Sequence, residues 1–359
     1  MSSPERAKLI IGLLFMSWKA VIPPQLTMPL IIIRIEVRMQ TFIVGGTGFL
    51  GYYTVRELLA RGHKVATIAL PPAPLEGVLP EGVTVTLANL NQMPDEAVLN
   101  MLTGVEGLIF AAGVDDRIVP KAPAWDFFYQ GNVVPTRRIT RLAREAGVKH
   151  MVIFSSYFVV FNRMWPELKM AEAHPYVRSR LAQIDAAKQE AGSSLSVSFL
   201  LLPYIFGSTP GRVPLWKPVI TYLNSKLPVV FYPRGGCAMV SAREVASAAV
   251  MAMELGENGA EYEVASDNLT WREWLNRLMA FTGKQKPVWT VPDWMVRLGA
   301  RAVMASHRRK GKESGLDMVA YAKVQTRLGF LDTEKSRQAL RYAKGDLDQA
   351  LQETVKACI

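Results

Sequence analysis

The 359-residue chain is 50% hydrophobic and 20% charged, which excludes a disordered chain and leaves room for one large α/β domain or two modest ones. Its net charge of +11 favours anionic ligands such as dinucleotides. No nucleic-acid-binding motif accompanies that charge, so nucleic acid is not expected as a partner. Two widely separated cysteines, Cys237 and Cys358, exclude a disulfide framework and point to a reducing, cytoplasmic setting; the scattered histidines form no ligand cluster, so no metal is expected.

Residues 1–38 read as an N-terminal extension. The run "LIIGLLFMSW" (9–18) has the apolarity of a signal-peptide core, but no small-residue cleavage site follows. Lys19 and Pro23-Pro24 cut it short of the roughly 18 clean residues a membrane span needs. "IRIEVRMQ" (33–40) alternates apolar and polar, as a short strand does. Met39 then opens "MQTFIVGGTGFLG", a natural start for a nucleotide-binding fold, so the upstream stretch is expected to be a disordered extension or a mis-assigned start.

From residue 41, strand and helix patterns alternate. "TFIVG" predicts a strand, "FLGYYTVRELLARG" a helix, and "HKVATIAL" a second strand closed by the loop "PPAPLEGVLP". "VTVTLA" and "GLIFAAG" (107–113) predict the third and fourth strands, with the helix "NVVPTRRITRLAREAGVKH" after them. "MVIFSS" (151–156) is the fifth strand, residues 174–191 form a helix, and "SVSFLLLP" is the sixth strand. Apolar strands alternating with helices imply a parallel sheet covered on both faces, here a Rossmann-type doubly wound α/β domain over 39–210. Beyond Pro210, "PLWKPVITYLN", "REVASAAVMAMEL" and "TWREWLNRLMAFTG" look helical. Residues 211–359 are therefore expected to form a smaller, mostly helical substrate-binding lobe, with 240–255 packing back on the first domain. Ligands of such folds bind beyond the carboxyl ends of the strands. Between Asp293 and Glu313, Arg297, Arg301, Arg308, Arg309, Lys310 and Lys312 interleave with Trp294, Met295, Val296, Leu298 and Val303. Two readings stand: a solvated helix end with a basic loop, or a helix in peripheral contact with a membrane surface.

"VGGTGFLG" (44–51) joins the first strand to the first helix and satisfies two glycine registers, Gly46/Gly48/Gly51 and Gly45/Gly48/Gly51. Glycine serves the tight turn, the close approach of a pyrophosphate and the packing of helix on strand. Thr47, Phe49 and Leu50 complete the loop and the helix start, whose free N–H groups and dipole favour phosphate. A plain tight turn is the alternative that this strand–helix context argues against. The cofactor expected is NAD or NADP. No acidic or basic residue ends the second strand, which closes Ile68-Ala69-Leu70-Pro71, so the usual discriminator between the two is absent. Asn89 and Leu90 are candidate adenine contacts, and Ala111, Ala112 and Gly113 are small enough to line the cofactor.

"HPYVRSRLAQ" (174–183) sets Tyr176 and Arg180 one helical turn apart, which on its own reads as a surface pair. From about residue 40 onward, however, the chain resembles the extended short-chain dehydrogenase/reductase superfamily, also called the NAD-dependent epimerase/dehydratase family. "GGTGFLG", "LIFAAG", "GNVVPTRRITRLAREAGVKHMVIFSS" and "PYVRSRLA" match its glycine loop, fourth strand, crossover and active-site helix in order. "GAEYEVASDNLTWREWLNRLMAFTGKQKPVWTVPDW" is most similar to the dihydroflavonol-reductase-like and 3β-hydroxysteroid-dehydrogenase-like branch.

The resemblance implies a Ser or Thr after the fifth strand and a Tyr-x-x-x-Lys on the next helix. The tyrosine exchanges a proton with the substrate oxygen as hydride moves, and a nearby cation lowers its pKa from about 10. Tyr176 matches the tyrosine, and Arg180 stands where the lysine belongs. Arginine supplies the charge and reaches the nicotinamide ribose, but cannot release a proton. Tyr157 falls at the hydroxyl position, with Ser156 or Ser155 as the other candidates; Ser155 and Pro203 are further cofactor contacts. Asp115 and Asp116 read as a solvated turn or as partners of a substrate hydroxyl.

Three functions follow. The first is a nicotinamide-dependent oxidoreductase of a small, fairly apolar carbonyl or alcohol. The second is a catalytically impaired dinucleotide-binding sensor, and the third a sugar-nucleotide epimerase or dehydratase. The partner expected is a small-molecule substrate, and the resemblance adds a homodimer paired through outer helices.

Overall fold

The computed structural model describes residues 38–72 and 78–359. The apolar run at 9–18, the strand expected at 33–40 as far as residue 37, and residues 73–77 of the Pro-rich loop lie outside the described residues.

Six strands, β1 (Gln40–Val44), β2 (Lys64–Ala69), β3 (Thr84–Leu87), β4 (Gly107–Phe110), β5 (His150–Ser156) and β6 (Ser196–Leu202), form a wholly parallel sheet. A seventh strand, Glu261–Glu263, joins beside β6, so the order is seventh, β6, β5, β4, β1, β2, β3. The doubly wound architecture expected from the alternation of patterns is the one observed.

Because successive strand residues point to opposite faces, near-continuous apolar strands feed two cores. Phe42, Leu108, Met151, Ile153 and Phe199 pack with Val98 and Leu102 of α2 (Asp95–Leu102), Ile139 and Leu142 of α3 (Val134–Glu145), and Ile184 and Ala187 of α4 (Pro175–Ala191). The intervening Ile43, Ile109, Val152 and Leu200 pack with Val55 and Leu58 of α1 (Phe49–Ala60) and with Val245, Ala248 and Ala249 of α5 (Ala242–Leu255). Each such side chain, fully buried, contributes about 1.5–3 kcal/mol. Helix α5 belongs to the second half of the chain yet covers this face. Its alanines bring it close to α1, and Ser241 caps it by accepting the Glu244 N–H at 3.1 Å.

A third core surrounds Trp274, Leu275 and Leu278 of α6 (Trp271–Thr282), which begins with a reciprocal Thr270–Glu273 capping box. The lobe carries more strand than its sequence patterns suggest. Asp267–Thr270, Gly236–Ser241, Leu328–Gly329 and Tyr204–Phe206 make one small sheet, and Val230–Pro233 pairs with Val288–Val291. Most of these segments span two to four residues, too few to display a period.

Candidate active site

The sheet's order reverses between β1 and β4, and the sequence motifs converge at the carboxyl ends of β1, β4 and β5. The glycine loop is pinned by backbone bonds. Gly45 N–H donates to the Ile68 carbonyl at 2.8 Å, Gly46 N–H to Thr67 Oγ1 at 3.0 Å, and Gly48 N–H to the Gly45 carbonyl at 2.9 Å. Thr67 in turn donates to the Ile43 carbonyl at 2.8 Å, fixing the loop to two strands. Gly45 sits at φ +93°, and a Cβ there would press on the Ala111 carbonyl oxygen at 3.2 Å. Gly48 caps α1 with no side-chain acceptor, and the first helical bond runs from Tyr52 N–H to the Gly48 carbonyl at 2.9 Å. The Phe49 and Leu50 amides, one turn earlier, have no partner within the helix and face an incoming anion with the positive end of its dipole. This cradle fits a dinucleotide diphosphate: side chains are excluded where the backbone must approach, and donors are left where charge must be met.

The adenine-side candidates divide. Asn89 caps a short 3₁₀ turn by accepting the Asn91 N–H at 3.1 Å. Leu90 is turned into the core, and its carbonyl accepts from Arg138. Leu70, just past β2, is 64% exposed and carries no charge. Ala111 and Ala112 follow β4, and Gly113 sits at φ +150°, where a Cβ would lie 2.9 Å from Asn132 Oδ1 and 3.5 Å from Arg180 Nη1. Pro203 is buried between β6 and the strand Tyr204–Phe206.

Helix α4 begins at Pro175, so Tyr176 and Arg180 lie in its first two turns, both buried. Arg180 Nε donates to Tyr176 Oη at 3.1 Å, Nη1 to Gln183 Oε1 at 3.0 Å and Nη2 to the Val114 carbonyl at 3.3 Å. Gln183 is held by donating to Thr136 Oγ1 at 2.9 Å. Asn132 accepts the Val114 N–H at 2.9 Å and donates to Ser179 Oγ at 3.2 Å, and Ser179 donates to the Tyr176 carbonyl at 2.8 Å. These supporting polar residues escape a motif search. Their trace in the sequence is a set of polar residues on the inward stripes of two helices, with Asn132 in a π-turn (Tyr129–Val133) leading into α3. The arginine is thus locked as one side of a network, not a loose surface charge.

Three expectations are corrected. Tyr157 does not face the Tyr176 phenol. It packs against Phe158 and Phe161 with ring centroids 4.5 and 4.8 Å away, and its hydroxyl reaches Cys237. Ser156, at the end of β5, supplies the hydroxyl within hydrogen-bonding reach of Tyr176. Its neighbour Ser155 points elsewhere, and its Oγ is buried without a hydrogen-bond partner among the described residues. Second, the Tyr176 phenol is raised above its ordinary value. Burial outweighs the lowering by Arg180, and the Asp116 charge adds to the rise. Third, Asp116 is more than a solvated turn. Burial and the adjacent Asp115 push its carboxyl up, and its charge is felt by Tyr176, Tyr157 and Tyr321. Asp115 itself pairs with Arg117, whose Nε lies 3.0 Å from its carboxylate.

A cleft of ≈350 Å³ opens beside the loop, walled by Phe49, Ile205, Leu215 and Trp216, with Asp115 and Arg212 at its polar edge. Behind it Trp216 stacks on Phe206 at 4.7 Å and donates its indole N–H to the Ile205 carbonyl at 2.8 Å.

His174 caps this helix from within the core, 1% exposed, and its Nδ1 accepts the Asp317 N–H at 2.9 Å. Burial pushes its pKa from 6.5 to about 4. The unfolded chain takes up that proton near pH 6.5, the folded one only near pH 4, so protonation between those values favours unfolding. Stability from this group is complete above pH 6.5 and declines by about 3 kcal/mol as pH falls to 4. Melting temperature measured against pH should fall less steeply over that window in His174→Asn, whose amide oxygen keeps the acceptor. Equal slopes would remove His174 as the cause.

Residues 45–201 match the family model described as NAD(P)H-binding. The chain is 28% identical over 268 residues to sterol demethylase protein B of Methylococcus capsulatus, covering 72% of this chain and 79% of that protein. It is 23% identical over 332 residues to a Synechocystis sp. protein provisionally named dihydroflavonol 4-reductase, covering 88% of this chain and 93% of the relative. A solved nucleoside-diphosphate-sugar epimerase from Pseudomonas aeruginosa superposes with a TM-score of 0.65 at 17% identity, covering 89% of this chain and 97% of that one.

Proposed function

We propose that the chain, which matches an NAD(P)H-binding family model over residues 45–201 and resembles the extended short-chain dehydrogenase/reductase superfamily, reduces a carbonyl, or oxidises the corresponding alcohol, of a small and fairly apolar substrate, with Tyr176 exchanging the proton. The observation that carries this reading is the buried Arg180 Nε–Tyr176 Oη bond of 3.1 Å, with the Ser156 hydroxyl beside the same phenol. The bound nicotinamide supplies or accepts the hydride. Ser156 holds the substrate oxygen, Tyr176 gives it a proton, and Arg180 orients the phenol and stabilises its anion after transfer. Burial raises that phenol above its ordinary value, so at neutral pH it stands as a proton donor. Arginine cannot relay a proton, so the phenol must be recharged from solvent. The Ser155 hydroxyl, unpartnered among the described residues, and the Ala111–Gly113 turn would hold the nicotinamide half of the cofactor. Apolar walls at Phe49, Ile205, Leu215 and Trp216, and relatives named for a sterol and a dihydroflavonol, support the substrate class.

The test is thermal-shift titration with NADH and NADPH, followed by turnover against a panel of sterol ketones, flavanones, short β-keto acids and nucleotide sugars. A nicotinamide at a hundredfold excess over its Kd should stabilise the fold by about 2.7 kcal/mol. Oxidation of that nicotinamide should follow with an apolar ketone. Binding without turnover on any panel member would favour the impaired sensor, and conversion of a nucleotide sugar the epimerase.

A further inference from the structure

We propose that α7 (Asp293–Arg309), together with the exposed Phe231–Trp289 pair next to it, is a docking surface that lies on an anionic lipid bilayer. At 100° per residue, Asp293, Val296, Ala300, Met304 and His307 form one stripe of α7. These are the positions that the protein covers: Ala300 and Met304 are buried, and the other three are half-buried. The opposite pole carries Trp294, Met295, Leu298, Ala302 and Ala305, with Arg309 on the same pole at the helix's last position, all exposed; Trp294 is 60% and Leu298 57% accessible. A solvated surface helix shows the reverse, with its apolar stripe inward and its polar residues at the outer pole.

Charge selects the occupant. Arg297, Arg301 and Arg308, spaced four and seven residues apart, line one flank of the apolar pole. Arg309, Lys310 and Lys312 follow at the helix end. Among the described residues these six make no salt bridge; the helix's one acidic residue, Asp293, is held by Arg234 at 2.7 Å, and of the six only Arg297 is near enough to help lower its carboxyl. That bridge ties the N-terminus of α7 to the strand Val230–Pro233, whose partner strand Val288–Val291 leads into the helix through Pro292. Phe231 and Trp289 stand across this strand pair, ring centroids 5.9 Å apart, 48% and 57% exposed. Exposed aromatics, an apolar outer pole and unpaired arginines on its flank are the composition of an interfacial helix, whose apolar face enters about 5–10 Å into the headgroup boundary. A second copy packing this helix antiparallel across a two-fold axis would set one arginine flank against another, a repulsion that anionic headgroups do not meet. Among the described residues no helix is long and apolar enough to cross a membrane, so contact is along the surface.

The full chain should co-float with vesicles of phosphatidylcholine plus phosphatidylglycerol at low salt, and much less with phosphatidylcholine alone or at high salt. Two variants, Trp294→Glu/Leu298→Glu and Arg297→Glu/Arg301→Glu/Arg308→Glu, should each weaken that binding at least about tenfold. Their melting temperatures and nicotinamide-induced shifts should match the parent, which separates loss of docking from loss of fold. The proposal is overturned if the parent fails to bind anionic vesicles. It also fails if both variants bind as the parent does, which would place the contact in another segment, including residues 1–37. Sedimentation showing a dimer that either variant dissolves, without vesicle binding, would assign the face to a second copy.

Discussion

Tyr176→Phe is expected to lower kcat by about 10²–10⁴ on the best substrate of the carbonyl panel, with Kd for the nicotinamide unchanged within about twofold. The phenol oxygen is the one atom removed. The ring keeps its edge contacts with Phe128 and Phe158, at centroid distances of 5.6 and 6.0 Å, and Arg180 keeps Gln183 and the Val114 carbonyl. Loss of one hydrogen bond to a charged partner limits the stability change to about 1–3 kcal/mol. A large kinetic effect on an intact fold would therefore report proton transfer. The pH dependence carries the same signature. With the phenol pushed above its ordinary value by burial, the reductive rate should be flat through neutral pH and fall only in strong alkali. Oxidation, which needs the phenolate, should rise with pH over that range. Arg180→Met removes a charge that lowers the phenol, so it should move the alkaline limb still higher. Substituting Ser156→Ala in the Tyr176→Phe background should add little, because the two hydroxyls serve one substrate oxygen. A Tyr176→Phe enzyme turning over at the parental rate would sink the mechanism and leave Arg180 as a cofactor anchor only.

The parallel sheet was legible because each of its central strands is apolar on both faces, and a run such as "MVIFSS" or "SVSFLLLP" has few other fates. The glycine loop was legible for a different reason. It sits where a strand pattern turns into a helix pattern, and only there does a glycine register select a nucleotide-binding turn. What the motif could not give was the hydroxyl partner of Tyr176. Ser155, Ser156 and Tyr157 are consecutive, and which one faces the phenol depends on where β5 ends and the chain bends towards the helix Phe158–Met164. That bend sends Tyr157 into the aromatic core and leaves Ser156 at the site. The phenol's pKa was also misjudged from sequence, since a formal charge one turn away is visible in the letters and burial is not. Asp116 is the same case in reverse: two acids in a turn read as solvated, and the desolvation of one of them comes only with the fold. The small strands of the lobe were hidden by length alone.

The second large effect is expected from Gly51→Ala, a substitution that ordinarily favours a helix by about 1 kcal/mol. Gly51 lies in the first turn of α1, directly beneath the bend of the loop. A Cβ there would overlap the Gly45 carbonyl oxygen and come within 2.6 Å of the Gly46 Cα. Both are backbone, and neither can rotate aside as the end of a side chain can. Either α1 lifts from the sheet or the loop opens, and overpacking of this kind costs about 1–3 kcal/mol. The functional cost is larger than the structural one. Lifting the helix moves the Phe49 and Leu50 amides away from the position at which a diphosphate is met, and charge-assisted bonds lost in that way are steep in distance. Nicotinamide affinity should therefore fall at least about a hundredfold, read by thermal shift and by tryptophan fluorescence titration, while circular dichroism remains native. Gly299→Ala supplies the contrast: nothing lies within 4 Å of its added Cβ, so melting temperature should rise slightly and cofactor affinity stay unchanged. Equal affinities of Gly51→Ala and the parent would mean that the diphosphate does not sit over this turn. In that event Tyr176, Arg180 and Ser156 would still form a cluster, but one with no hydride donor held beside it.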